Sequence, residues 1–114
     1  MTTLIDNLER YLDLAAFRQK LVSTNIANVD TPGYRTRDVA FHAELQRAMY
    51  LPAALTPGVH SVRGLITRPD GNDVNIDRET MLLAETQLQF RMGVQLLRGE
   101  FSRMLLAINE GKQS

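Results

Sequence analysis

From Ile76 to Ile108 the chain sets a residue at every third or fourth position in one unbroken line. The line runs Ile76, Thr80, Leu83, Gln87, Phe90, Val94, Leu97, Phe101, Met104, Ile108, and only Thr80 and Gln87 are polar. This is the spacing of a helix that packs against another helix. A helix over 77–110 is about 50 Å long at 1.5 Å per residue. The other end of the chain supplies a possible mate. Ile5, Leu8, Leu12, Ala15, Gln19, Val22 and Ile26 follow the same spacing, and Leu14, Phe17 and Leu21 broaden the stripe. Each seam stays wet unless it is paired. The expected fold is therefore all-α, with the terminal helices paired as an antiparallel coiled-coil hairpin.

The ends of these helices carry their own signals. Asp77 suits an N-cap, Glu79 the positive end of the helix dipole, and Ile76 with Met81 a hydrophobic staple. Gly111 is placed to stop the helix. Gly93 and Gly99 lie inside it, each costing about 1 kcal/mol relative to alanine. They are either tolerated or present to admit a neighbouring helix at close range.

Residues 35–75 differ in kind. Phe41, Leu45, Ala48 and Met49 make two or three turns of amphipathic helix, after which "YLPAALTPGVH" brings two prolines and a glycine. "RPDGND" is turn chemistry. Val59, Val62, Leu65 and Ile66 are too few for a sheet of their own, so a pair of strands or a partner-ordered loop is expected. The middle is read as irregular and, over 51–75, partly mobile. At 114 residues the chain is one domain, 1–114, with a helix over 1–30, a turn and middle over 31–76, and a helix over 77–110.

Composition narrows the function classes. Thirteen basic and thirteen acidic residues cancel, and neither sign forms a block. No nucleic-acid partner is expected, because such a partner selects for a basic face. Direct membrane insertion is not expected either, since no run approaches the ~18 apolar residues of a span. The N-terminal "MTTLIDNLERYLDLAAF" is acidic and periodic, unlike a cleaved signal peptide. Cysteine is absent, and His42 and His60 stand alone without zinc-ligand spacing. Asp73, Asn75 and Asp77 alternate as in half a calcium loop, but Arg78 and Ala84 occupy its glycine and glutamate positions. Ser23, Ser61 and Ser102 lack a nucleophile context, and no phosphate-binding glycine loop occurs. No catalytic residue, cofactor or metal is expected, and the chain is not read as an enzyme.

One stretch is either helix punctuation alone or a docking element. "NIANVDTPGYR", residues 25–35, ends the first helix. Thr31 precedes Pro32 and is pushed out of the helical region, so the helix stops by about Asp30. Pro32 and Gly33 fit the central positions of a type II turn, the second of which needs positive φ. Asn25 and Asn28, three apart, either bond the last free carbonyls or fix the register of a neighbour. Tyr34 and Arg35 leave the turn together, a pair enriched at interfaces. The expectation is an elbow that aims both at an adjacent subunit.

The stretch closely resembles the signature that closes the N-terminal helix of flagellar axial proteins, here Ala27, Asn28, Thr31, Pro32, Gly33 and Tyr34. "DGNDVNIDRETMLLAETQLQFR", residues 70–91, is a second matching region, and the short middle resembles the proximal-rod members. The resemblance implies a structural subunit of the basal-body rod, exported without a cleaved signal through the flagellar type III apparatus. It implies assembly in the periplasm with other rod and basal-body proteins and with copies of itself. Asn25, Asp30 and Arg35 join the signature residues as assembly candidates, with Phe90, Val94, Leu97, Phe101 and Met104 as the helix seam. The alternatives are another type of proximal-rod protein and a stand-alone helical adaptor.

Overall fold

A computed structural model describes residues 3–51 and 56–113. Helix α1 spans Leu4–Ala27, strand β1 Arg37–Val39, helix α2 Phe41–Tyr50, strand β2 Val59–Ser61 and helix α3 Ile76–Gln113. The fold is the expected helical hairpin: α1 and α3 pack along one another, and α2 lies on α1. β1 and β2 form an antiparallel pair with Asp38 opposite His60. Part of the proline-rich stretch, residues 52–55, lies outside the described residues.

The α1 seam packs as its spacing requires. Ala15 and Val22 are buried, as is Leu14 on the second stripe, while Leu12 and Ile26 are half-buried. A capping box starts this helix: Asp6 N–H donates to Thr3 Oγ1 at 3.1 Å, and Thr3 N–H donates to Asp6 Oδ2 at 3.3 Å.

The face of α3 turned to α1 differs from the apolar line. Glu79, Leu82, Thr86 and Gly93 are buried, whereas Phe90, Phe101 and Met104 are exposed and Val94 and Leu97 half-buried. The spacing is right, but the packed stripe sits one residue earlier through the first four turns, a rotation of about 100°. Two things turn the helix. Glu79 is drawn inward by polar partners, and Gly93 lets α1 come close. A Cβ at Gly93 would stand 2.6 Å from Leu12 Cδ2, so this glycine serves close approach. Gly99 does not, since a Cβ there meets nothing within 4 Å.

The ends of α3 also differ from expectation. Asn75, not Asp77, is the cap: Arg78 N–H donates to Asn75 Oδ1 at 3.0 Å and Glu79 N–H to Asn75 O at 3.0 Å. With Ile76 already helical, the Ile76–Met81 staple is lost, and both side chains are exposed. Gly111 does not end the helix, which continues to Gln113. A glycine stops a helix by taking positive φ, and Gly111 does not take it.

At 38 residues α3 measures about 57 Å, against about 36 Å for the 24 residues of α1. The pairing of Asn25 with Glu79 and of Leu12 with Gly93 brings α1 to its start near residue 101 of α3. Residues 101–112 extend beyond it and are all exposed.

Candidate functional site: the joint between the elbow and the second helix

The signature stretch forms one half of a polar joint. α1 ends at Ala27 because Asn28 folds back on the last turn: its Nδ2 donates to Thr24 O at 2.8 Å, and its Oδ1 accepts from Thr31 Oγ1 at 3.0 Å. Tyr34 N–H then donates to Thr31 O at 3.2 Å, closing a four-residue turn whose third residue, Gly33, has φ +76°. That matches a type II turn. The helix stop is therefore made by Asn28, Pro32 and Gly33 together.

The other half is the turn at residues 68–74. Gly33 N–H donates to Asp70 O at 2.8 Å, and Asp73 N–H to Tyr34 O at 3.3 Å. Asn72 Nδ2 donates to both Asn28 O at 2.8 Å and Thr31 O at 2.9 Å. Thr36 N–H reaches Asp73 Oδ1 at 2.6 Å, and Arg68 donates to Val29 O. Asn72, Asp73 and Val74 are buried, so this part of the irregular middle is fixed by the chain itself. The calcium-like alternation is spent on the fold: Asp73 holds Thr36, and Asn75 caps α3.

Two glycines meet at the centre. A Cβ on Gly71, whose φ is +86°, would lie 3.2 Å from Gly33 Cα, whereas a Cβ on Gly33 meets nothing within 4 Å. Gly33→Ala therefore costs only the left-handed backbone, about 1–2 kcal/mol. Gly71→Ala adds a backbone collision to the same term and is expected to cost more. Urea midpoints of the two variants test this; a Gly33→Ala loss equal to or larger than that of Gly71→Ala would contradict it.

Asn25 joins the elbow to α3. It is 1% exposed, and its four bonds use both ends of the amide. Nδ2 donates to Arg37 O at 2.8 Å and to Glu79 Oε1 at 3.2 Å; Oδ1 accepts from Tyr34 Oη at 2.8 Å and Arg37 N–H at 3.1 Å. Tyr34 is half-buried, and its hydroxyl bonds within the chain. Its hydroxyl turns inward because the buried Asn25 carbonyl needs a donor. Arg35 remains 54% exposed beside Asp73, at 3.3 Å. Asp30, Thr31 and Pro32 are also exposed on the rim of the elbow, as is Ala27.

Charges complete the joint. Arg18 grips Asp38 through two bonds of 3.0 Å, and Arg78 adds a third at 2.9 Å. Burial pushes the Asp38 carboxyl up, but bonds from Arg18, Val39 N–H and Arg78 outweigh it and hold Asp38 below the ordinary aspartate range. Arg78 also donates to Glu79 Oε1 at 2.8 Å. Burial pushes the Glu79 carboxyl above its ordinary value, against the Asn25 bond and the Arg78 charge. Arg18 lies over Phe41 at 6.0 Å, and Phe41 meets Tyr11 edge-on at 5.7 Å, which ties α2 to the same region. Arg18, Asp38, Arg78 and Glu79 were not singled out as a site from sequence. A buried ion cluster is made by residues far apart in the chain, and no local spacing announces it.

Nothing in this geometry activates a nucleophile or assembles a metal shell; among the described residues no group of three histidine, cysteine or acidic side chains is placed to hold an ion. The joint fixes shape. Comparison with known proteins agrees with a shape-bearing role. Residues 6–35 match the family model described as Flagella basal body rod protein. The chain is 35% identical to flagellar basal body rod protein FlgB of Escherichia coli (strain K12), over 88% of each chain. It is 32% identical to the Bacillus subtilis (strain 168) FlgB, over 95% of each. The Borrelia hermsii FlgB shares 29% over 91% of this chain and 94% of its own. With this much identity along nearly the whole length, and with the elbow inside the matched segment, the chain belongs to the FlgB family of flagellar basal body rod proteins.

Proposed function

We propose that this chain is a structural subunit of the flagellar basal-body rod, acting as one domain that joins copies of itself and other rod proteins through its terminal helices. The rod so built transmits torque. The observation that carries this reading is the surface of α3. Met81, Leu88, Phe90, Met92, Leu96, Phe101, Met104, Leu105, Leu106 and Ile108 are all exposed, from 39% to 63%. A helix apolar around so much of its circumference is a buried helix, and here the single chain covers only one side of it. The seam residues Phe90, Val94, Leu97, Phe101 and Met104 are assigned to this interface, with Arg35 on the elbow rim as a second contact. Passage through the flagellar type III export apparatus and a periplasmic position are part of the same proposal.

Leu105 offers a clean test, because it is 62% exposed and lies beyond the reach of α1. Leu105→Asp is expected to leave the thermal midpoint of the subunit within about 1–2 °C, as for an ordinary surface change. Co-assembly with purified rod partners, scored by electron microscopy, is expected to be abolished. Ordered polymers from Leu105→Asp at parental yield would remove the overhang of α3 from the interface.

A further inference from the structure

Like Thr36 Oγ1 and Asp73 Oδ2, which also lack a hydrogen bond, Glu79 is incompletely bonded. Its side chain is fully buried, and Oε1 accepts from Asn25 and Arg78 while Oε2 has no hydrogen-bond partner. The charges around it come from every packed element. Arg78 stands beside it on α3, Arg18 faces it from α1 and Asp38 from β1; the Tyr34 hydroxyl approaches from the elbow, with Arg37 and Asp73 behind it. Two guanidiniums, Arg18 and Arg78, thus serve two carboxylates, but unequally. Asp38 takes three of their bonds and Glu79 one.

We propose that the joint is a proton-sensitive clasp, in which Glu79 takes up a proton as pH falls from neutral and the elbow is then held more firmly on α3. The physical reason lies in the two oxygens. An ionised carboxylate with a bare buried oxygen carries a large desolvation cost. A proton on Oε2 removes that charge, while Oε1 goes on accepting from Asn25 and Arg78. Arg78 keeps its bond to Asp38, which stays ionised, so the neutral form leaves no guanidinium without a carboxylate.

The sign follows from linkage. The folded chain holds the Glu79 proton more tightly than the unfolded chain does. Its contribution is therefore fully present below the ordinary glutamate value and is lost as pH rises through the raised folded value. Asp38 acts oppositely and at lower pH: its contribution is present above the ordinary aspartate value and lost as pH falls through its depressed one. Weak acid is then the range in which both help.

Two measurements on the full chain test the clasp. The Glu79 side-chain carboxyl, followed by carbon-detected NMR, is expected to titrate above the ordinary glutamate value. Urea unfolding of the parent is expected to show a midpoint that falls as pH rises above the ordinary glutamate value, and Glu79→Gln should lose that fall. His42 and His60 are exposed and common to both proteins, so any contribution from them cancels in the comparison. A Glu79 carboxyl that titrates at or below the ordinary glutamate value overturns the proposal, even if Glu79→Gln fails to fold. So does an equal pH slope in the parent and a folded Glu79→Gln.

Discussion

Asn25→Ala is expected to cost about 3–5 kcal/mol of subunit stability, because two backbone groups of Arg37 and the Tyr34 hydroxyl lose their partner in a buried site at about 1–3 kcal/mol each, with water recovering part. The total is a large share of what a domain of this size has to lose. Asn28→Ala is the matched control. Asn28 also makes side-chain bonds to the helix end, but they are exposed, so about 1 kcal/mol is expected there. Urea unfolding followed by circular dichroism separates the two. A loss at Asn25 no greater than at Asn28 would mean that water replaces the amide without penalty, and the joint would not be the element that holds the elbow. Tyr34→Phe gives a smaller version of the same result, since it removes one of the four bonds and leaves the ring in place.

The helices were legible in the sequence because their signal is periodic and local, and every turn repeats it. The α1 seam needed no correction for that reason. The face of α3 was misjudged by one residue because apolar spacing reports which residues avoid water in the final assembly, not which of them face α1. Phe90 and Phe101 lie on the apolar line yet outside the intrachain contact, and a polar residue, Glu79, takes the inward place. Burying a carboxylate runs against every residue-level preference and depends on Asn25 arriving from α1 to join the neighbouring Arg78. The elbow was legible as a stop, since Pro32 and Gly33 act on their own neighbours. Its direction was not. Tyr34 turns inward toward an amide nine residues earlier, and the turn at 68–74 closes on it from 40 residues away, contacts that leave no trace in composition or spacing.

Gly93 sets how closely the two helices lie, and its replacement should depend steeply on size. Gly93→Ala places a Cβ 2.6 Å from Leu12 Cδ2 and 3.1 Å from Tyr11 Cδ1. The Leu12 methyl is the free end of a flexible side chain and can turn aside, and alanine returns about 1 kcal/mol of helix propensity. Gly93→Ala should therefore lie within about 1 kcal/mol of the parent. Gly93→Leu has no such escape. Its extra carbons enter space already filled by Leu12 and Tyr11, and Tyr11 is braced by Phe41 on α2. Overpacking of this kind costs about 1–3 kcal/mol, and the loss of α1–α3 contact beyond it puts the expected total at the upper end. Leu12→Ala in the same chain vacates the contested volume, so the double variant should recover part of the loss, a coupling of about 1 kcal/mol or more for residues in contact. Additive losses in that cycle would show that Gly93 does not meet Leu12, and the helix pair would have to be in another register.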